Sequence, residues 1–177
     1  MLVEKSSTST NTILQRGRNE SSWKDLLILA KDIPVDVRFL ELMPIGEGKE
    51  GETISNTTLF QKIKEIYPDI KPDERKHGNG PAIYYKIPGF EGSIGFISAI
   101  HGGFCDSCNR LRMTSTGELK PCLCYDETIS VRDVARCGDS EKIRENIKHA
   151  IQIKPKKHCF SEIEKVSEKK KMAQIGG

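Results

Sequence analysis

Residues 12–42 read TILQRGRNESSWKDLLILAKDIPVDVRFLEL, and this stretch decides the fold class. Thr12, Ile13 and Leu14 make a short apolar strand. Arg16-Gly17-Arg18-Asn19 is a loop, with glycine and asparagine as turn formers. Behind Ser21 and Ser22, either of which can cap a helix, Trp23, Leu26, Leu27 and Ala30 recur at helical spacing. Pro34 ends that helix. Val35 to Leu42 is β-type, with Val35, Val37, Phe39 and Leu40 apolar. Strand, loop, helix, strand in this order predicts a βαβ unit, parallel pairing and an α/β fold. A strand flanked by helices needs neighbouring strands on both sides. Residues 1–48 are therefore read as the last part of a larger sheet or partial (β/α) barrel. Residues 1–10, rich in Ser and Thr and without periodicity, are expected to be disordered.

Pro44-Ile45-Gly46-Glu47-Gly48 marks a boundary, and residues 49–177 are read as a second, α+β domain. A helix is predicted from Thr57 to Tyr67, with Leu59, Phe60, Ile63 and Ile66 on one face and Pro68 as its stop. The runs Ala82–Ile87 and Ser93–Ile100, joined through Pro88-Gly89, read as an antiparallel hairpin. Arg110–Thr114 and Glu118–Pro121 read as a second hairpin around Thr116-Gly117. Helices are predicted near Val131–Arg136 and Ser140–Ile151, and the basic tail from Lys154 is expected to be extended.

Composition narrows the function classes. The net charge of +3 is too small to argue for nucleic-acid binding. No run is long and apolar enough to span a bilayer, and the first residues lack the apolar core of a secretory signal. A cytoplasmic protein without nucleic-acid or membrane partners is the expectation. In that compartment the six cysteines are metal ligands or buried thiols rather than disulfides.

Four of the six cysteines fall between Cys105 and Cys124. Cys105-Asp106-Ser107-Cys108 is a C-x-x-C whose turn brings two sulfurs together. Cys122 follows across the second hairpin, which returns it beside the first pair. Spacing alone leaves two main readings open, beside a C-x-x-C that arises by chance or acts as a redox pair. Three thiolates can hold a 4Fe–4S cluster with one iron open to substrate. With Cys124 as a fourth ligand, the same segment makes a structural, non-catalytic four-cysteine zinc module. Cys137 and Cys159 read as ordinary buried or idle thiols.

The stretch Phe104-Cys105-Asp106-Ser107-Cys108-Asn109-Arg110-Leu111-Arg112-Met113-Thr114, with Gly117-Glu118-Leu119-Lys120-Pro121-Cys122-Leu123, resembles the second-cluster motif of the MoaA-type GTP 3′,8-cyclases of molybdenum cofactor biosynthesis, which are radical SAM enzymes. Asp36-Val37-Arg38-Phe39-Leu40-Glu41-Leu42-Met43-Pro44 resembles that family's R-F-I-E-x-M-P strand, and Gly80-Pro81-Ala82-Ile83-Tyr84-Tyr85 its G-P-A-x-Y-Y. Ile175-Gly176-Gly177 resembles its terminal double glycine.

The resemblance implies a lyase that converts GTP to (8S)-3′,8-cyclo-7,8-dihydroguanosine 5′-triphosphate. It makes Cys105, Cys108 and Cys122 the ligands of a three-cysteine 4Fe–4S cluster whose open iron meets the guanine. Arg110, Leu111, Arg112 and Arg38 become GTP contacts, and Met43 a contact of S-adenosylmethionine. Arg110, Arg112, Gly176 and Gly177 become catalytic. The family's C-x3-C-x2-C loop, which holds another 4Fe–4S cluster and S-adenosylmethionine, does not occur in these 177 residues, and a family lysine near Asn11 is Ser9 here. The expectation is a chain inactive alone, working as a homodimer or with a complementing radical SAM half.

Overall fold

The computed structural model describes residues 8–175, which form two compact units. One comprises the chain up to Leu42 together with Gly51–Phe104; the other comprises Met43–Glu50 and Cys105 onward. Compactness thus divides the chain elsewhere than at residue 48. The reason is that the strand of the R-F-L-E segment needs a partner that arrives only after residue 90.

The first unit is a mixed α/β layer. Strand β1 (Thr8–Ile13) pairs parallel with β2 (Val35–Leu40), and helix α1 (Trp23–Asp32) crosses between them. This is the predicted βαβ unit. Helix α2 (Asn56–Ile66) follows, then β3 (Lys71–Pro72), β4 (Ile83–Lys86) and β5 (Ile94–Ile97). The sheet order is β1-β2-β5-β4-β3. β2 and β5 are parallel, whereas β3, β4 and β5 are antiparallel neighbours. The hairpin expected between residues 82 and 100 is β4–β5, with Ile83 opposite Phe96.

Alternation along β2 sorts its side chains. Val37 and Phe39 are buried in a core with Trp23, Leu27 and Ala30 of α1 and Leu59 and Ile63 of α2. Asp36 and Arg38 project from the other face of the strand. Three expectations change here. Thr8–Thr10 pair with Val35–Val37 in β1, so order begins within the segment read as disordered. Ser22 stands at the helix start, but its side chain makes no cap bond; Asn19 fixes this corner by accepting from Gln15 N–H and donating to the Ile13 carbonyl. Ile66, expected on the apolar face of α2, is exposed, because α2 reaches the core only as far as Ile63.

Glu41 fastens the end of β2. Its buried carboxylate accepts N–H bonds from Asn56 at 3.2 Å, Ile100 at 2.8 Å and His101 at 3.0 Å. Burial alone pushes its pKa up, but these donors outweigh that and hold it below the ordinary range. On the opposite face, buried His77 lies 2.7 Å from Asp36 and stacks on Tyr84.

Gly92 shows how tightly β5 enters. Its N–H caps α1 by donating to the Ala30 carbonyl at 2.8 Å. A Cβ here would sit 1.9 Å from the Val35 carbonyl oxygen, a backbone atom that cannot swing aside. Gly92→Ala is expected to cost about 3 kcal/mol and to lower the thermal midpoint by roughly 5–10 °C. A melt within about 2 °C of the parent would show that the backbone relaxes there.

The second unit is built on an antiparallel sheet of β6 (Arg112–Met113), β7 (Glu118–Lys120) and β8 (Ile129–Ser130), in that order. Helices α3 (Arg132–Arg136) and α4 (Ser140–Gln152) follow, as predicted. Leu119, Val131 and Ala150 form the core, with Leu111 packed against it. The tail is not the extended arm its composition suggested. Cys159, Phe160, Val166, Glu168 and Ile175 are buried, and Lys171 pairs with Glu47 at 2.7 Å. Among the described residues no helix is long and apolar enough to cross a membrane.

Candidate functional site

The three cysteines of the motif lie in the second unit, at the open end of the β6–β7 hairpin. A short 3-10 turn, Cys105–Ser107, sets the first pair, closed by Cys108 N–H on the Cys105 carbonyl at 3.1 Å. The hairpin register places Arg112 opposite Lys120 and Met113 opposite Leu119. Following that register two residues outward brings Arg110 abreast of Cys122. The turn that makes this return is closed by Gly117 N–H on the Thr114 carbonyl. The turn and the hairpin keep Cys105 and Cys108 within electrostatic reach of Cys122.

Cys105, Cys108 and Cys122 are all partly buried and reduced. They lie within electrostatic reach of one another. Burial is the largest influence on the Cys122 thiol and raises its pKa; Cys105 and Cys108 raise it further, while Lys154 opposes them. Cys105 Sγ also accepts the His158 backbone N–H at 3.4 Å. Among the described residues no three His, Cys, Asp or Glu side chains stand close enough to share one ion.

This donor set fits a polynuclear cluster. The thiols are soft, mutually repulsive as thiolates, sheltered from bulk water and supplied with an N–H···S bond and a nearby ammonium. Those features tune iron–sulfur clusters.

Cys124 is turned elsewhere. It is fully buried, with its Sγ 2.8 Å from that of Cys159, and it accepts the Cys159 N–H at 3.1 Å. Burial first, then the bond with Cys159, raises its pKa. Cys159 is thus engaged rather than idle, whereas Cys137 is exposed.

The arginines occupy the edge of the same site. Arg112 is half-buried; burial lowers its pKa, the Arg110 charge lowers it further, and Cys108 raises it. Two like charges and a sulfur thus act on one another electrostatically, a setting that favours an anion. Leu111, between them, points into the core, so only its main chain faces the arginines' side.

Arg38 lies on β2 of the first unit, opposite Asn11 and Gly95. Among the described residues its buried Nε has no hydrogen-bond partner. A Cβ on Gly95 would fall 2.9 Å from both Arg38 Cγ and the Tyr84 ring, so the glycine makes room for this guanidinium. Ser9, in place of the family lysine, is exposed on β1. Met43 is half-buried in the second unit, and Gly176 and Gly177 lie outside the described residues.

Two participants were not foreseen. Lys154 donates to the carbonyls of Arg110 and Pro121, both at 2.9 Å, and His158 supplies the N–H to Cys105. Both belong to the segment read as a solvated tail.

Residues 35–160 match the family model described as Molybdenum Cofactor Synthesis C. A protein named GTP 3′,8-cyclase from Clostridium perfringens (strain 13) is 44% identical over 168 residues, covering 94% of this chain and 52% of its own length. Proteins of the same name from Alkaliphilus metalliredigens and Petrotoga mobilis are 39% and 36% identical, again across 94% of the chain. The chain spans about half the length of the curated relatives it matches.

Proposed function

Because the chain belongs to the Molybdenum Cofactor Synthesis C family, and the matched span takes in Cys105, Cys108 and Cys122, we propose that it is the substrate-side half of a GTP 3′,8-cyclase. The carrying observation is that three half-buried thiols flank one hairpin end, with Cys105 and Cys108 in electrostatic reach of Cys122, and Arg110 and Cys108 in reach of Arg112.

In this reading Cys105, Cys108 and Cys122 hold a 4Fe–4S cluster. When bound, it supplies a Lewis-acidic iron with a coordination position left for a purine atom. The protein's own part is placement and charge. Arg110 and Arg112 present guanidinium forks suited to phosphate and purine acceptors. Arg38 offers a buried Nε whose hydrogen bond is unfilled among the described residues, a group that gains from a ligand acceptor. Met43 is the contact for S-adenosylmethionine, and Gly176 and Gly177 keep the catalytic role that the resemblance implies. The parallel trio β1-β2-β5 is read as the last part of a partial (β/α) barrel. A radical SAM half with its own 4Fe–4S cluster, or a homodimeric partner, completes the active unit in the cytoplasm. The four-cysteine zinc module is the competing reading; the contact of Cys124 with Cys159 argues against it.

The deciding experiment is anaerobic purification followed by iron and acid-labile sulfide analysis, then incubation with GTP, S-adenosylmethionine and reductant. We expect a brown protein with iron and sulfide in equal amounts and no cyclised nucleotide. A colourless protein with zinc and no sulfide would sink the cluster. Cyclised product from this 177-residue polypeptide would refute the need for a second half.

A further inference from the structure

We propose that Lys154 is a positioning residue of the three-thiol site, closing the hairpin end where the strand ladder stops. The inference rests on the cluster reading above. β6 and β7 pair only as far as Arg112 and Lys120. The next residue on β7 is Pro121, and the ladder is not taken up again at Cys122. Beyond that point the ladder leaves a gap between the two strands.

Lys154 fills it. Its Nζ donates to the Arg110 and Pro121 carbonyls, each at 2.9 Å, and so ties the chain just after Cys108 to the residue just before Cys122. The ammonium also lies within electrostatic reach of Cys122. It is half-buried, unlike the exposed Lys156 and Lys157 that follow. Four residues on, the His158 N–H reaches Cys105 Sγ at 3.4 Å. The segment after α4 therefore touches both cysteine-bearing strands without contributing a ligand, as outer partners of metal sites do.

The test uses the full chain, purified anaerobically, with Lys154→Met, Lys154→Gln and Lys154→Arg, and Lys156→Met as control. Chelator challenge should strip iron from K154M roughly tenfold faster than from the parent or from K156M. K154R should restore retention. Losing the cation should move the cluster's reduction potential to more negative values in both K154M and K154Q, a change that loosened packing alone does not dictate. In cluster-free protein, amide hydrogen exchange at residues 109–112 and 120–123 should rise in K154M. Parental iron loss and an unmoved potential in K154M would overturn the proposal while leaving the cluster intact. If the parent itself holds neither iron nor sulfide, the cluster reading fails, and unchanged exchange in K154M would then remove the tether as well. Should K154M not fold, the same comparisons are made between K154Q and K154R.

Discussion

Cys122→Ala should leave the anaerobically purified protein without iron and sulfide, whereas Cys124→Ala should retain both. The argument is one of ligand count. With Cys122 gone, only the C-x-x-C pair remains, and two thiolates on one turn do not hold a cubane that normally takes four ligands. Loss of even an outer partner costs about 10–100-fold in metal affinity, so loss of one of three direct ligands exceeds that. Cys124 differs because its sulfur is already committed, 2.8 Å from Cys159 in a fully buried position. Removing it creates a small cavity, at a cost of about 1–2 kcal/mol, which lowers the melt without emptying the site. The ratio of iron to protein in the two variants separates the readings. Equal loss in both would restore Cys124 as a ligand and favour the four-cysteine module. A Cys122→Ala protein with parental iron and sulfide would remove the third sulfur from the site altogether.

The contrast between these two cysteines shows what sequence carried and what it could not. The turn and the hairpin that join Cys105, Cys108 and Cys122 were legible because both are local. The βαβ unit around α1 was legible for the same reason: its helical period and its flanking β runs are contiguous. β3 and β8 were missed because two residues apiece give no period to detect. The partners of single polar groups were missed because nothing local encodes them. Asp36 meets His77, and Lys154 meets Arg110, across 41 and 44 residues of chain. The tail misled for a further reason. Phe160, Val166 and Ile175 are widely spaced among lysines, so composition reads as solvated while docking buries each one.

Lys120→Met is expected to destabilise the second unit by about 3–5 kcal/mol, because it strands a buried carboxylate. Lys120 and Glu168 are each about 1% exposed and form an ion pair, and Lys120 also donates to the Tyr125 carbonyl. Without the lysine, Glu168 keeps an N–H from Lys170 at 2.7 Å but no countercharge. The pair itself need not be worth this much. Replacing both members by apolar side chains of similar volume is often neutral, so K120M/E168L should recover most of the loss, and urea melts of the cycle measure the coupling. The pH dependence has a definite sign. Burial, the largest influence on Glu168, raises its pKa, but the Lys120 bond and backbone N–H groups outweigh it and leave it lowered from 4.5. A depressed carboxylate contributes stability above its unfolded pKa and loses it as pH falls through the folded value. In K120M the desolvated acid protonates more readily, so acidification relieves the variant while it weakens the parent. The gap between them should therefore be widest near neutrality and should close below about pH 4. A gap that persisted unchanged into acid would mean that Lys120 acts through packing of its aliphatic stem rather than through its charge.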